Sequence, residues 1–343
     1  EMQRSLVGSE MCIRDRGKSV IQVPRDREGE FEPIVVPKHQ SRGLSIERLV
    51  ISLYAKGMSV ADIESEMQEI YGINLSTSAI SIITNKVSQA ATEWQNRPLD
   101  SLYMIVWMDG IVFKVRENGK VINKTVYLCV GLNKEGLKEV LGMWIGKNES
   151  AAFWMGVLTD LKARGVEDIL ITVTDNLNGF TETIKSVFPA STTQICVVHQ
   201  IRNSCRYVVW KEKKEFTADL KNIYNAPTKE AAEMELDNFE QKWGAKYPYA
   251  IRSWRNNWEE LTVFFDFPVE IRKIIYTTNL IENLNGKIRK YTKNKLSFPN
   301  DDALKKSVYL AINEIEKKWY QPIWNWALIF NQFITIFENR IQV

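Results

Sequence analysis

The sequence predicts an α/β protein in which a mixed β-sheet carries a helical insertion and follows a small all-α module. Three observations predict this fold class. An antiparallel meander begins near residue 101, with the hairpin turn signal Asn118-Gly119 between two stretches of strand periodicity. The β-branched apolar run Ile169–Thr174 follows an amphipathic helical stretch, as expected of a buried parallel strand. From residue 200 to 275 the strand signals stop, and helical, charged and aromatic sequence replaces them.

Five strands and two helices are expected within residues 101–199, the first part of the predicted catalytic domain. The alternation of three antiparallel strands, a helix, a parallel strand, a helix and a last strand is the pattern of a ribonuclease-H-like sheet with strand order 3-2-1-4-5. The expected strands are Met104–Val115, Val121–Val130, Glu139–Ile145, Ile169–Thr174 and Ile195–Val198, and the helices are Glu149–Arg164 and Gly179–Val187. Residues 200–275 form the helical insertion, and residues 276–343 form the second part of the domain.

The region before the sheet is predicted to contain three parts. Residues 1–16 include Leu6–Arg16, which resembles the translation of a sequencing-library adapter, so they are interpreted as artefactual and excluded from fold reasoning. Residues 17–41 are charged and rich in turn residues, which indicates an arm or linker. Residues 42–100 contain three helical segments, the second and third capped by Ser59 and Ser76. A helix-turn-helix DNA-binding module is predicted, and a generic three-helix bundle explains the same apolar spacing.

Composition excludes several classes of protein. The chain has 343 residues, 45 Lys and Arg against 42 Asp and Glu, and a net charge of +3, too small by itself to indicate a polyanionic partner. No apolar run reaches the roughly 18 residues of a membrane-spanning helix, so no membrane partner is expected. The four cysteines show no paired spacing along the sequence, which predicts reduced thiols and a cytoplasmic, nucleoid-associated protein. With only 2 histidines, metal chemistry would use oxygen ligands.

Three acidic residues are the candidate catalytic and metal-binding groups. Asp109 lies on the first strand and Asp175 ends the fourth, and these strands are neighbours in the inferred order. Glu282 lies at a helix start further along the chain. Three converging carboxylates repel one another unless cations lie between them, and two Mg²⁺ or Mn²⁺ ions about 3.5–4 Å apart would bind both sides of a phosphodiester. This is the chemistry of nucleases and integrases.

Each carboxylate also has a purely structural interpretation. Asp109-Gly110 resembles a hairpin turn, although Asn118-Gly119 is the better turn. Asp175 could cap the helix that follows, and Glu282 has the capping-box spacing from Asn279. On local grounds the structural interpretation is at least as good for Asp175 and Glu282. Only the three residues together, at these points of one sheet pattern, favour a site.

Further candidates surround these carboxylates. Cys196 and His199 form a C-x-x-H pair, which is interpreted as structural because a tetrahedral zinc site would lack ligands. Trp254 and Trp258 are four residues apart on a predicted helix that also carries Arg252 and Arg255, and they could stack on extruded bases, with core packing as the alternative. A basic stripe after Glu282 would contact DNA phosphates, with a solvated helix face as the alternative. Its members are Lys287, Arg289, Lys290, Lys293 and Lys295.

These motifs together resemble the Mutator-type transposases of bacterial insertion sequences, which carry an Asp-Asp-Glu site. The resemblance extends from about residue 18 to the C-terminus. Family members have a further helical region before the Val-Pro-Arg-Asp segment, where this chain has residues 1–16. The motifs are Val23–Arg27 with Gly29–Phe31, Met108–Gly110, Thr174–Phe180, Cys196–Asn203, and Thr277–Asn279 leading to Glu282–Asn285.

The resemblance implies a metal-dependent DNA transposase. It assigns metal binding and catalysis to Asp109, Asp175 and Glu282 and treats Cys196 and His199 as a signature pair. The reaction would be cleavage at the element's ends followed by attack of the 3′-hydroxyls on target DNA. The expected partners are the terminal inverted repeats, target DNA and further copies of the chain in a synaptic complex, with no small-molecule substrate. The alternatives are a catalytically inactive DNA-binding regulator and a nuclease that cuts without joining.

Overall fold

The computed structural model of the protein describes residues 7–13, 17–23, 42–177, 179–276 and 279–341. The chain divides into two compact units, residues 1–49 and 50–343. In the first unit, Val7–Ile13 pairs antiparallel with Gly17–Val23 in a hairpin that the sequence did not predict. Apart from those strands, the predicted artefactual segment and the predicted arm lie outside the described residues.

Three helices precede the sheet, and their boundaries follow the capping signals. The helix α2 begins after Ser59, whose hydroxyl accepts from the Asp62 backbone N–H while the Asp62 carboxylate accepts from the Ser59 N–H. Ser76 caps α3 by accepting from the Ala79 N–H. The polar face of α3 is bonded to a later helix, because Asn85 accepts from Lys306. The helices are α1 (Arg42–Ala55), α2 (Val60–Glu69) and α3 (Thr77–Gln95).

The central sheet has five strands in the order β3-β2-β1-β4-β5, as the sequence predicts. Strand β2 is antiparallel to β1 and β3, whereas β4 is parallel to β1 and β5. Asn118 and Gly119 both have positive φ, 50° and 78°, as a type I′ hairpin turn requires. The strands are β1 (Leu102–Glu117), β2 (Lys120–Leu132), β3 (Lys138–Gly146), β4 (Asp168–Thr174) and β5 (Thr192–Ile195). This mixed topology is ribonuclease-H-like, and the predicted fold class is confirmed.

The helices α4 (Ala151–Ala163) and α5 (Phe180–Val187) lie in the crossovers on either side of β4 and share a core with the sheet. The rings of Trp154 and Phe180 stack with their centroids 4.6 Å apart. Both side chains are fully buried, so this contact fixes the two helices above the strands that carry the candidate carboxylates.

The fifth strand ends earlier than the sequence predicts. Ile195–Val198 was expected to be extended, but only Thr192–Ile195 pairs with β4, and α6 (Val197–Cys205) begins immediately afterwards. Cys196 ends the strand by donating its N–H to the Thr174 carbonyl at 2.8 Å. Its Sγ then accepts from the His199 N–H at 3.4 Å and caps the helix. The C-x-x-H pair therefore spans a helix N-terminus.

Helices joined by short loops make up the rest of the described chain. Phe298 joins the C-terminal part to the sheet, because its backbone exchanges 2.8 Å hydrogen bonds with Lys114 and Arg116 of β1. No helix among the described residues is long and apolar enough to cross a membrane. The helices are α7 (Lys213–Tyr224), α8 (Lys229–Trp243), α9 (Pro248–Asn256), α10 (Trp258–Leu261), α11 (Val269–Ile275), α12 (Asn279–Thr292), α13 (Asp301–Glu316) and α14 (Trp326–Ile336), with 3-10 turns at Trp210–Glu212 and Val263–Asp266.

Candidate active site

The register of two parallel strands brings Asp109 and Asp175 to the same level of the sheet. Trp107 of β1 pairs with Val173 of β4, and each aspartate lies two residues further along its own chain. Side chains two residues apart in extended backbone share a face, so both carboxylates leave the sheet together. Together with His199 they offer ligand atoms that all lie within 4.8 Å of one another. The predicted convergence of these two aspartates is therefore observed.

Asp109 is a buried carboxylate held by two hydrogen bonds. The Gly110 N–H donates to Oδ1 at 2.7 Å, and the Asn285 side-chain amide donates to Oδ2 at 2.7 Å. Burial raises the pKa of Asp109 to about 7, and the charge of Asp175 contributes in the same direction. His199 and the Gly110 N–H oppose this shift, and Glu282 adds to it. A bound cation would favour the ionised form of this group.

Asp175 contacts the histidine of the C-x-x-H pair. His199 Nδ1 lies 2.5 Å from Asp175 Oδ1. Burial alone would lower the pKa of His199, but its contacts with Asp175 and with Cys196 outweigh burial and raise it. The sequence suggested a structural role for Cys196 and His199. The cap made by Cys196 fits that role, while the His199 ring stands among the candidate metal ligands.

Glu282, the third predicted carboxylate, lies beside this group and is paired with an arginine. Arg202 binds it in a bidentate manner, with Nη1 2.7 Å from Oε1 and Nη2 2.9 Å from Oε2. Glu282 is close enough for its charge to raise the pKa of Asp109, but it is not a member of the group within 4.8 Å. The helix α6 thus presents two cationic groups, His199 and Arg202, to Asp175 and Glu282. The two charge pairs offset the repulsion among the carboxylates.

The donor set fits a divalent cation. Asp175 Oδ1 and His199 Nδ1 are buried, and neither has a hydrogen-bond partner of good geometry within the described chain, although they form a close ion pair. Two carboxylates and an imidazole are common ligands of divalent metals, and the Gly110 and Asn285 donors fix the orientation of one carboxylate. Asn285 and Arg202 lie within the motifs Glu282–Asn285 and Cys196–Asn203, but the sequence did not indicate that they bind Asp109 and Glu282.

A cavity beside Asp175 contains a fourth acidic residue that the sequence analysis missed. Glu149 lines it together with Asp175 and His199. Its carboxylate accepts a 3.0 Å hydrogen bond from Trp154 Nε1. Burial raises the pKa of Glu149, and the charge of Asp175 adds to the effect. The only local signal was its position just before Ser150, the cap of α4, which is equally typical of an ordinary helix start.

The predicted basic stripe is largely accessible. Lys287, half-buried, and the exposed Arg289 and Lys290 lie on α12, the helix that carries Glu282, and the exposed Lys293 follows it. Lys295 differs, because its ammonium lies 3.8 Å from the centroid of the Tyr54 ring and donates to Ser307. It is a packing residue in this structure.

The four candidate residues of the insertion have different environments. Trp254 is 2% exposed and donates a hydrogen bond to Ser204, and Trp258 is 8% exposed, so both rings pack in the core, as the alternative interpretation held. Neither ring has a face open to a base. Arg255 is bound by Asp237 and Glu240, whereas Arg252 is exposed.

The fold and the site define a class of protein. A ribonuclease-H-like sheet with one acidic side chain midway along β1 and a second just after the end of β4 is typical of metal-dependent enzymes that process nucleic acids. Residues 3–322 match the family described as "Transposase, Mutator family", and the chain belongs to this family of transposases. The resemblance drawn from the motifs is confirmed.

Relatives agree with this assignment. The chain is 43% identical over 324 residues to a probable transposase for an ISRM3-like insertion sequence element of Sinorhizobium fredii, covering 94% of this chain and 81% of that protein. It is equally similar to the transposase for ISRM3 of Rhizobium meliloti, with the same coverage. The transposase for IS256 in transposon Tn4001 of Staphylococcus aureus is 27% identical, over 88% of this chain and 78% of that one. The protein is therefore a transposase of an insertion sequence element, a DDE-type enzyme whose family implies a divalent metal and DNA binding.

A solved structure of a simian T-cell lymphotropic virus intasome, in complex with a PP2A regulatory subunit, also matches. It shares 15% identity, covers 54% of this chain and 68% of its own, and has a TM-score of 0.21.

Proposed function

We propose that Asp109, Asp175 and Glu282 hold two divalent cations, Mg²⁺ or Mn²⁺, and that the protein cleaves DNA at the ends of its element and joins the 3′-hydroxyls to target DNA. The observation that carries the proposal is the parallel register of β1 and β4, which sets two carboxylates at one level, one of them buried with a raised pKa. Such a pair gains most from a cation between its members.

The chain's own residues supply orientation and charge. When bound, the metal ions would activate the attacking oxygen and stabilise the leaving oxygen of an in-line displacement. Asp109 is held in one orientation by Gly110 and Asn285, so little reorganisation is needed on binding. His199 stands beside Asp175, within reach of the same ligand position. Both steps of the reaction are displacements at phosphorus, so one site serves cleavage and joining.

DNA contact follows from charges near the site. Arg289, Lys290 and Lys293 are exposed on or just after the helix of Glu282, and Lys287 lies on the same helix, so they can bind phosphates beside the reacting one. Arg252 adds an exposed charge on α9. The α3 helix is proposed to contact the inverted repeats through the side opposite Asn85, and several copies of the chain would join the two ends in a synaptic complex.

The test replaces one carboxylate oxygen. Asp109→Asn is expected to reduce cleavage and strand transfer at least about 10³-fold, because a neutral amide binds a hard cation poorly, while duplex binding stays within about twofold. The substrate is a duplex carrying the element's terminal inverted repeat. Asp100→Asn, at an exposed position before β1, is the matched control and should behave as wild type. Strand transfer retained by Asp109→Asn would refute the assignment.

A second variant identifies the ligand role directly. Asp109→Cys should be inactive with Mg²⁺ and regain activity with Mn²⁺, which accepts sulfur more readily. Supplying ends that already carry a free 3′-hydroxyl separates a transposase, which forms joined product, from a nuclease, which does not.

A further inference from the structure

A second cavity adjoins the candidate active site, in the angle between α6 and α9. It measures about 340 Å³, within the range of roughly 300–1,000 Å³ that small-ligand sites occupy. Asn176, Asn203 and Arg206 line both this cavity and the one that contains Asp175 and His199. The two cavities are therefore adjacent, and a strand bound at the carboxylates would lie next to the second one.

Two exposed aromatic rings form one side of this cavity. Tyr207 is 63% exposed and Tyr249 is 58% exposed, and their centroids lie 4.9 Å apart in an edge-to-face arrangement. An aromatic ring exposed beside a polar cavity offers a planar surface on which another ring can stack. The sequence offered base stacking or core packing for Trp254 and Trp258, and both side chains are buried. Tyr207 and Tyr249 are exposed aromatic residues that line the cavity next to the candidate active site.

The polar groups of the cavity favour an anionic ligand with hydrogen-bonding edges. Arg206 and Arg252 line it, and within the described residues neither forms an ion pair with an acidic side chain. Among the residues that the structure describes, none of those lining the cavity is an Asp or a Glu. Asparagine amides both donate and accept hydrogen bonds, as base edges require, and free guanidinium groups bind phosphate.

We propose that this cavity binds one unpaired nucleotide of the DNA strand next to the scissile phosphate, with its base against Tyr249 and Tyr207 and its phosphate on Arg206 or Arg252. In a duplex both faces of a base are covered by its neighbours, so a ring can stack on a base only after the base has left the stack. This inference rests on the proposed function, because it takes the reacting phosphate to lie at Asp109 and Asp175. It adds a subsite and a requirement for local unpairing at the element's end.

Photo-crosslinking tests the position. A duplex with the element's terminal inverted repeat carries 5-iodouracil at single positions on either side of the cleavage point, and the crosslinked peptides are mapped by mass spectrometry. We expect crosslinks to Tyr249 or Tyr207 from one flanking position. Tyr249→Ala should reduce that crosslink about tenfold and weaken binding of a fluorescent single-stranded oligonucleotide by about the same factor. Tyr249→Phe keeps the ring and should bind within twofold of wild type.

The controls separate this proposal from the proposed function. Tyr320→Ala removes a 74% exposed ring elsewhere and should change nothing, and thermal unfolding checks that each variant is folded. Asp109→Asn should lose strand transfer and keep the crosslink. The nucleotide site is overturned if the crosslinks map to other residues and Tyr249→Ala binds the oligonucleotide like wild type. If strand transfer still proceeds in that case, the proposed function stands. A crosslink at Tyr249 in a protein that joins no DNA supports the nucleotide site and contradicts the proposed function.

Discussion

Arg202 holds both carboxylate oxygens of Glu282, at 2.7 and 2.9 Å, in an ion pair that joins α6 to α12. Its neighbour on the same helix, His199, lies 2.5 Å from Asp175. One helix therefore supplies the cationic partners of two carboxylates on separate elements. A cation that binds these acids has to compete with side chains of the chain itself.

Removing Arg202 should therefore strengthen metal binding. Arg202 is 56% exposed and Glu282 23% exposed, so the pair is worth about 0.5–1 kcal/mol. Arg202→Ala is expected to lower the dissociation constant for Mn²⁺ about two- to fivefold in isothermal titration calorimetry. Arg202→Lys, which keeps the charge, should remain near wild type. Weaker Mn²⁺ binding by Arg202→Ala would mean that Arg202 orients Glu282 for the metal instead of competing with it.

Asn285 should matter for catalysis although it is not acidic. Its amide donates to Asp109 Oδ2 at 2.7 Å and fixes the carboxylate from 176 residues away. Groups that orient a metal ligand typically change affinity or activity about 10–100-fold when removed. Asn285→Ala should reduce strand transfer by about that factor and raise the Mg²⁺ concentration needed for half-maximal rate.

The matched control for Asn285 is on the same helix. Asn283 is exposed, and Asn283→Ala should leave the rate unchanged. If excess Mg²⁺ does not restore any of the strand-transfer rate that Asn285→Ala loses, the amide acts on folding and not on the metal site.

The sheet could be predicted from the sequence because its signals are local. The Asn118-Gly119 turn fixes the β1/β2 hairpin, and the strand order then brings Asp109 and Asp175 together. The β5 boundary was wrong because a short apolar run fits a strand or a helix equally well, and the Cys196 cap decided it.

Contacts between distant side chains leave no periodic signal. Arg202 and Glu282 are 80 residues apart, and neither the spacing nor the composition around them indicates the pair. The Trp254 and Trp258 spacing fits one helix face, but the sequence does not say whether that face meets the core or a base. The hydrogen bond from Trp254 to Ser204 answers this for Trp254, and its 2% exposure agrees.

The exposed basic residues of α12 should govern the salt dependence of DNA binding. Each phosphate contact contributes about 0.9 to the slope of log K against log salt concentration. Replacing Arg289 and Lys290 together by Ala should lower the slope for duplex binding by up to about 1.8, measured by fluorescence anisotropy. Lys211→Ala removes an exposed charge in the 3-10 turn of the insertion and should leave the slope unchanged. An unchanged slope in the double variant would exclude α12 as a phosphate-binding surface.

Lys295, by contrast, should influence stability and its pH dependence. Burial lowers the pKa of Lys295 to about 8 from 10.5, and Lys306 adds to the shift. Between these values the unfolded chain binds a proton that the folded protein has released, so the stability of the fold rises with pH. The free energy of unfolding of wild type relative to Lys295→Met should rise by up to about 1.4 kcal/mol per pH unit from pH 8 to 10, measured with denaturant. Lys293→Met, at an exposed neighbouring position, should track wild type at every pH. Parallel curves for wild type and Lys295→Met would show that Lys295 keeps its proton beside the Tyr54 ring, so that the cation–π contact outweighs burial.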